Sequence, residues 1–187
     1  QSEKEKDELR VAWATMERGE LLLEQGHPDA AREAALAAET RLQRSKLLGD
    51  DVNLVKRSLL LLRAAIGLAL HDPRESEAAA RLLTAELAKA PSNFDLRAEV
   101  HFAQGLAALA EGESKRAMQE LLVCPLTMPR CRYALAKAQG RAGDLTGADD
   151  TIAFLLHHPL RDNLHRGEDP AYLVVRARLA SAQAAKQ

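Results

Sequence analysis

Aromatic residues make up only 3% of the 187 residues, and β-branched residues are also few, which argues against a β-sheet protein. Two cysteines are too few for a disulfide framework. Ten glycines and seven prolines are too few for a low-complexity or collagen-like chain. A formal net charge of −1 excludes a strongly basic nucleic-acid-binding protein of the usual kind and an acidic disordered tail.

Long apolar runs are also missing, so we expect no membrane span. The longest candidate, Leu59 to Leu70, is too short and contains Arg63. Residues 2–8 are charged and unlike a signal peptide. The chain does not begin with Met, which suggests a processed protein or a piece of a longer one. The compartment stays open: the cytoplasm is slightly favoured, and the periplasm is the alternative if a signal peptide was removed.

Apolar residues recur at helical spacing almost throughout, and 47% of the residues are hydrophobic against 28% charged. Proline and glycine divide this pattern into segments, because proline is tolerated at a helix start and glycine at a helix end. The pattern predicts an all-α fold. The predicted helices cover about residues 5–25, 28–49, 51–71, 73–90, 94–111, 113–123, 129–143, 145–157 and 169–187.

Small residues repeat at fixed distances along these helices. A small residue midway along the first helix of each pair is followed twelve residues later by an alanine, which would let the two helices approach closely. The pairs are Gly19 with Ala31, Gly67 with Ala79, Gly105 with Ala117, and Ala136 with Ala148. The turn lies seven residues after the first member, at Gly26, Arg74, Gly112 and Gly143, and glycine there permits a left-handed backbone.

This pattern resembles the tetratricopeptide repeat (TPR), a helix-turn-helix unit of 34 residues. Two features differ from the TPR pattern. The small residues are not spaced 34 residues apart, and the positions that are aromatic in the family hold Thr15, Leu22, His101 and Ala108. The resemblance implies a right-handed α-solenoid superhelix of about four repeats in one domain, residues 1–187. The repeats would cover about 5–49, 51–90, 94–126 and 128–158, followed by a capping helix at 169–187.

The resemblance also implies a concave groove lined by the first helix of each pair, where a partner protein or peptide would bind. The groove would be apolar in its middle and basic towards the C-terminal end, which suits a partner with apolar anchors and an acidic end. Its predicted lining residues are Leu68, Phe102, Leu106, Leu109, Arg130, Tyr133, Lys137 and Arg141.

Each part of this groove has a second interpretation. The basic residues share one helical face, and such a face is often simply solvated. The apolar centre could be covered by the chain's own ninth helix rather than by a partner. Nucleic acid is not expected as a partner, because the net charge is balanced.

No catalytic or cofactor motif stands out. A glycine-rich phosphate loop would follow a strand, and no strand is predicted. Cys124, Cys131, His157, His158 and His165 do not have the spacing of a compact zinc motif. The cysteines are predicted to be small core residues. We expect that the protein binds no metal or cofactor and is not an enzyme.

The expected function is therefore protein–protein interaction, as a scaffold or adaptor. One alternative is a regulatory or sensor module of a larger signalling protein, such as a kinase or transcription regulator. Another alternative is an envelope or secretion assembly factor. The high usage of Ala, Arg and Leu is typical of a bacterial protein with a GC-rich gene. These settings rest on fold-level analogy.

Overall fold

Eight α-helices follow one another in a computed structural model that describes residues 3–126 and 128–157. Their bounds are α1 Glu3–Glu24, α2 Pro28–Ser45, α3 Asp50–Ala69, α4 Pro73–Lys89, α5 Phe94–Glu111, α6 Ser114–Val123, α7 Pro129–Arg141 and α8 Leu145–His157. No strand occurs within the described ranges, so the all-α prediction is confirmed there. The predicted helix at 169–187 lies outside the described residues.

Most of the helices begin and end at the prolines and glycines that predict their ends. Proline opens α2, α4 and α7, and Asp72 caps α4 by accepting a 3.3 Å hydrogen bond from the Glu75 amide. Gly26, Gly112 and Gly143 all have positive φ after their helices. Helix α2 stops four residues before its predicted end, because Lys46 adopts a left-handed conformation with φ of 51°.

The chain divides into two compact units, Gln1–Glu111 and Gly112–Gln187, and each is described by itself. Unit 1 contains α1 to α5, and unit 2 contains α6 to α8. The division falls between the two helices of the third predicted repeat. The prediction of a single domain with one continuous groove stays a prediction.

Unit 1 is held together by contacts between helices that are near neighbours in sequence. Helix α3 packs against α1, α2, α4 and α5, while α1 also contacts α2, and α4 also contacts α5. This arrangement explains the run of four leucines in α3, because Leu59, Leu61 and Leu62 are each at most 7% exposed. The run is therefore buried on more than one side of its helix.

Close helix approach in unit 1 occurs at small residues. A Cβ atom on Gly19 would lie 3.3 Å from the Ala34 Cβ and 3.4 Å from the Ala31 carbonyl oxygen, so α1 meets α2 at the predicted place. In the second pair the equivalent residues are Ala64 and Ser76, twelve residues apart, where the Ser76 hydroxyl donates to the Ala64 carbonyl at 2.8 Å. The predicted pair, Gly67 and Ala79, is therefore three residues out of register.

A charged cluster joins α2 to the turn between α3 and α4. The Arg32 guanidinium donates to one Glu75 carboxylate oxygen from Nε at 3.0 Å and from a terminal nitrogen at 2.5 Å, and lies 3.3 Å from Asp72. The hydrogen bond to Glu75 raises the pKa of Arg32. Arg63 reaches the other oxygen of Glu75 at 3.8 Å. The Glu75 side chain is only 13% exposed, so it depends on these cations for its charge to be compensated.

Replacing Arg32 with methionine should therefore lower the free energy of unfolding by about 1–2 kcal/mol, since hydrogen bonds to a charged, half-buried group are lost. Urea denaturation followed by circular dichroism would measure the change. The matched control is Arg81→Met, which breaks an exposed pair with Glu77 and should cost no more than about 0.5 kcal/mol. Equal losses in the two variants would contradict a structural role for the Arg32 cluster.

Unit 2 consists of α6 packed against α7, and α7 packed against α8. A disulfide joins Cys124, directly after α6, to Cys131 in the first turn of α7, with the two Cα atoms 6.3 Å apart. Both cysteines are almost fully buried, as expected, but they are bonded to each other rather than being two free core residues. The Arg132 guanidinium donates a hydrogen bond to the Cys124 carbonyl at 3.0 Å. Burial lowers the pKa of Arg132.

Candidate functional site

An open groove of about 1090 Å³ lies within unit 1, with α2 and α4 as its walls and α3 along its floor. The turn before α3 and the start of α5 also line it, at the end where α2 and α4 finish. Buried apolar side chains underlie it. These are Ala35, Leu42, Val52, Leu59 and Leu96. The base of the groove is therefore part of the unit's core and is fixed by it.

Besides the half-buried Leu47, three leucines present apolar surface to the groove above this base. Leu60 on α3 is half-buried, Leu82 on α4 is 50% exposed, and Leu48 in the turn before α3 is 85% exposed. Leucines exposed singly are ordinary on a protein surface, but three around one groove form an apolar patch. Apolar side chains in a concave surface are what ligand and peptide sites commonly offer.

Helical spacing explains why these residues face the same space. Lys56, Leu60 and Arg63 are four and three residues apart on α3, which places them on one face. Leu82, Glu86 and Lys89 have the same spacing on α4. Each of the two helices therefore presents a leucine between or beside charged side chains along the groove.

The charges of the groove are unevenly compensated. Among its acidic residues, Glu39 lies 4.0 Å from Arg63 and Glu86 lies 2.7 Å from Lys89. The third, Asp50, is in the first turn of α3, where the helix dipole stabilises a negative charge. Lys46 and Lys56 are exposed and form no ion pair within the described part of the chain.

A buried ion pair fixes the arginine beside Lys56. Arg57 also lines the groove, and its Nε lies 3.3 Å from a carboxylate oxygen of Glu99, which is 3% exposed. Because Glu99 is on α5, this pair links the floor helix α3 directly to α5. Removing either partner would leave a poorly compensated buried charge. Arg57 is thus structural as well as groove-lining.

The predicted apolar groove residues lie elsewhere in unit 1. Phe102, Leu106 and Leu109 on α5 are at most 6% exposed, and Leu68 on α3 is half-buried. None of the four lines the groove between α2 and α4. The side chains of Phe102, Leu106 and Leu109 are therefore buried core residues contributed by α5.

The predicted basic residues lie on α7 in unit 2. The Lys137 ammonium nitrogen is 4.6 Å from the centre of the Tyr133 ring, a distance that fits a cation–π interaction. Lys137 and Arg141 are exposed, while Arg130 and Tyr133 are half-buried. The structure therefore brings Lys137 and Tyr133 together as predicted, and the role of this face in binding stays a prediction.

The groove between α2 and α4 was not predicted, although two signals in the sequence point to it. Four consecutive leucines cannot all face the core of one helix, so Leu60 has to differ from its neighbours. Lys56 and Arg63 on either side of it mark the face that Leu60 shares with solvent. The spacing of Leu82, Glu86 and Lys89 gives the same kind of signal on α4.

Residues 3–126 and 128–157 offer neither a metal site nor a membrane-spanning helix. No group of three or more His, Cys, Asp or Glu residues there is placed to hold a metal ion, and His158 and His165 lie outside these ranges. No helix in the same ranges has the length and apolar character needed to cross a bilayer. No protein-family model, curated protein or solved structure matches this chain.

Proposed function

We propose that this chain is a protein-interaction module, a scaffold or adaptor built from TPR-like helical repeats, that holds a segment of a partner protein in a groove. The repeat assignment is supported by the helix contacts of unit 1, in which each odd-numbered helix meets the next odd-numbered helix as well as the helix between them. It is also supported by the twelve-residue spacing at Gly19 with Ala31 and at Ala64 with Ser76.

The groove between α2 and α4 is the observation on which this function rests. Its volume of about 1090 Å³ lies near the upper end of small-molecule pockets, and it is a groove between helices rather than an enclosed cavity, which suits a segment of a partner protein. Exposed leucines beside lysines suit a partner segment with both apolar and charged groups. This surface is favoured over the predicted groove at Phe102 and Leu106, because those side chains are already buried.

A second candidate function is that of an assembly factor in the cell envelope. The disulfide between Cys124 and Cys131 favours it, since structural disulfides persist in oxidising compartments such as the bacterial periplasm and are rare in the cytosol. This candidate specifies a setting for the same interaction module. It is tested by the redox state of the two cysteines in cells.

Site-specific photo-crosslinking tests the interaction function. A photoreactive phenylalanine analogue at Leu82, introduced in cells that naturally make the protein, should give a covalent adduct to one defined protein. Leu21 on α1 is the matched control, because it is 60% exposed and does not line the groove. The same adducts from both positions, or none from Leu82, would count against a docking groove between α2 and α4.

A further inference from the structure

We infer that the segment held between α2 and α4 is an acidic amphipathic helix of a partner protein. This inference rests on the proposed interaction function and adds the chemistry of the partner to it. Three properties of the groove carry it: the shape of its walls, the position of its leucines, and the sign of its uncompensated charge.

The shape of the groove fits a helix. Both walls and the floor are helices, so no strand edge is offered to an extended peptide within the groove. The groove follows α3 from Asp50 to Arg63, a length of about 21 Å and enough to support about four turns of a helix lying between α2 and α4. A helix in a helical groove is a recurrent mode of peptide recognition.

The leucines define the apolar side of that partner helix. Leu60 lies on the floor, Leu82 on one wall and Leu48 at one end, so a bound helix would meet apolar surface at more than one point along its length. Partner leucines or aromatic residues at spacings of three and four would face Leu60 and Leu82 together. Desolvation of these contacts would supply most of the affinity.

The charge of the groove selects an acidic partner. Lys46 and Lys56 extend into solvent and form no ion pair among the described residues, whereas Glu39 and Glu86 are already paired with Arg63 and Lys89. Carboxylates on the flanks of a bound helix could pair with both lysines. A basic helix would meet two uncompensated cations and, apart from Asp50, only carboxylates that already have a cation beside them, so its association would be slower.

Three synthetic peptides of about 18 residues test the inference. The first is an amphipathic helix with leucines on one face and glutamates on the other. The second replaces each glutamate with lysine, and the third has the composition of the first in a scrambled order that destroys the apolar face. Fluorescence anisotropy with the full chain should show the first peptide bound at least about tenfold more tightly than the other two, with affinity falling as salt increases.

Variants of exposed residues locate the binding to the groove. Leu82→Glu should weaken binding of the acidic helix by at least about tenfold, while the control Leu21→Glu leaves it unchanged. Lys46→Glu combined with Lys56→Glu should slow association by about tenfold. Its charge-matched control combines Arg18→Glu with Lys115→Glu, two exposed positions outside the groove. Circular dichroism would check that every variant is folded.

Several results would overturn the inference. Equal binding of the scrambled peptide would show that charge alone attracts it, and equal weakening by the control variants would place the contact outside the groove. Preference for the lysine peptide, or tighter binding of a single-stranded oligonucleotide, would assign a different partner. A photo-crosslinked protein at Leu82 together with no preference for the acidic helix would reject this inference and retain the proposed function. Failure of both experiments would reject both.

Discussion

Replacing Gly67 with alanine should destabilise unit 1 by at least about 2 kcal/mol, although alanine is normally the better helix residue. A Cβ atom at this position would lie 2.7 Å from the Ser76 backbone nitrogen and 2.9 Å from the Asp72 carbonyl oxygen. These are backbone atoms, so the conflict cannot be relieved by rotating a side chain. Helices α3 and α4 would have to move apart at their turn.

Gly140→Ala is the matched control for this prediction. Gly140 also lies within a helix, but an added Cβ would meet no atom within 4 Å. This variant should gain up to about 1 kcal/mol from the lower conformational entropy of the unfolded chain. Urea denaturation of both variants would give the two changes. A Gly67→Ala protein as stable as the wild type would show that α3 and α4 are not in close contact at Gly67.

Loss of the Cys124–Cys131 disulfide should lower the free energy of unfolding by about 2–3 kcal/mol, the amount expected when a short loop is no longer closed in the unfolded chain. Both cysteines are buried, so a double substitution by alanine would keep an apolar residue at each place. Thermal unfolding of the wild type with and without a reductant, beside the double variant, would measure the effect.

The double variant is also the control for the reductant. It should melt at the same temperature with and without dithiothreitol, while the wild type should approach it only when reduced. A wild type unaffected by reduction would contradict the disulfide. Alkylation of thiols in freshly lysed native cells would then test the compartment: full protection of both cysteines is expected in an oxidising one, and rapid labelling would count against the envelope candidate.

Sequence reasoning predicted the helices of the described residues well because their ends depend on local chemistry. Proline at Pro28 and Pro73 and positive φ at Gly26 act within one turn of the chain. Helix α2 ended early at a lysine rather than a glycine. A lysine rarely adopts the left-handed conformation that ends a helix, as Lys46 does here, so that boundary could not be predicted from residue type.

The register of the second pair was predicted wrongly for a physical reason. Gly67 does lie at a close approach of α3 and α4, but it meets Ser76 rather than Ala79, because α3 ends sooner after Gly67 than the pattern requires, with positive φ at His71. Gly67 consequently packs beside the turn, while Ala64 and Ser76 occupy the twelve-residue pair. Small size was the correct criterion, but a serine that donates a hydrogen bond also satisfies it.

The groove could be predicted less well than the fold because it depends on how three helices are arranged in space. Leu60 and Leu82 are 22 positions apart along the chain and on different helices, and their periodicity alone does not show that they face the same space. Burial likewise cannot be predicted from residue type alone, because a phenylalanine is as common in a protein core as in a binding site. Phe102 is in fact buried. Helix packing decides both questions.

The neighbour-to-neighbour packing of unit 1 has a consequence for how the chain acquires its structure. Every contact between helices joins elements that are adjacent or next but one in sequence, so the loops that must close are short and the entropy lost in closing them is small. Domains with such local contacts fold in roughly microseconds to milliseconds. During synthesis, α1 and α2 can therefore pair as soon as both have left the ribosome, and each later helix can add to a surface that already exists.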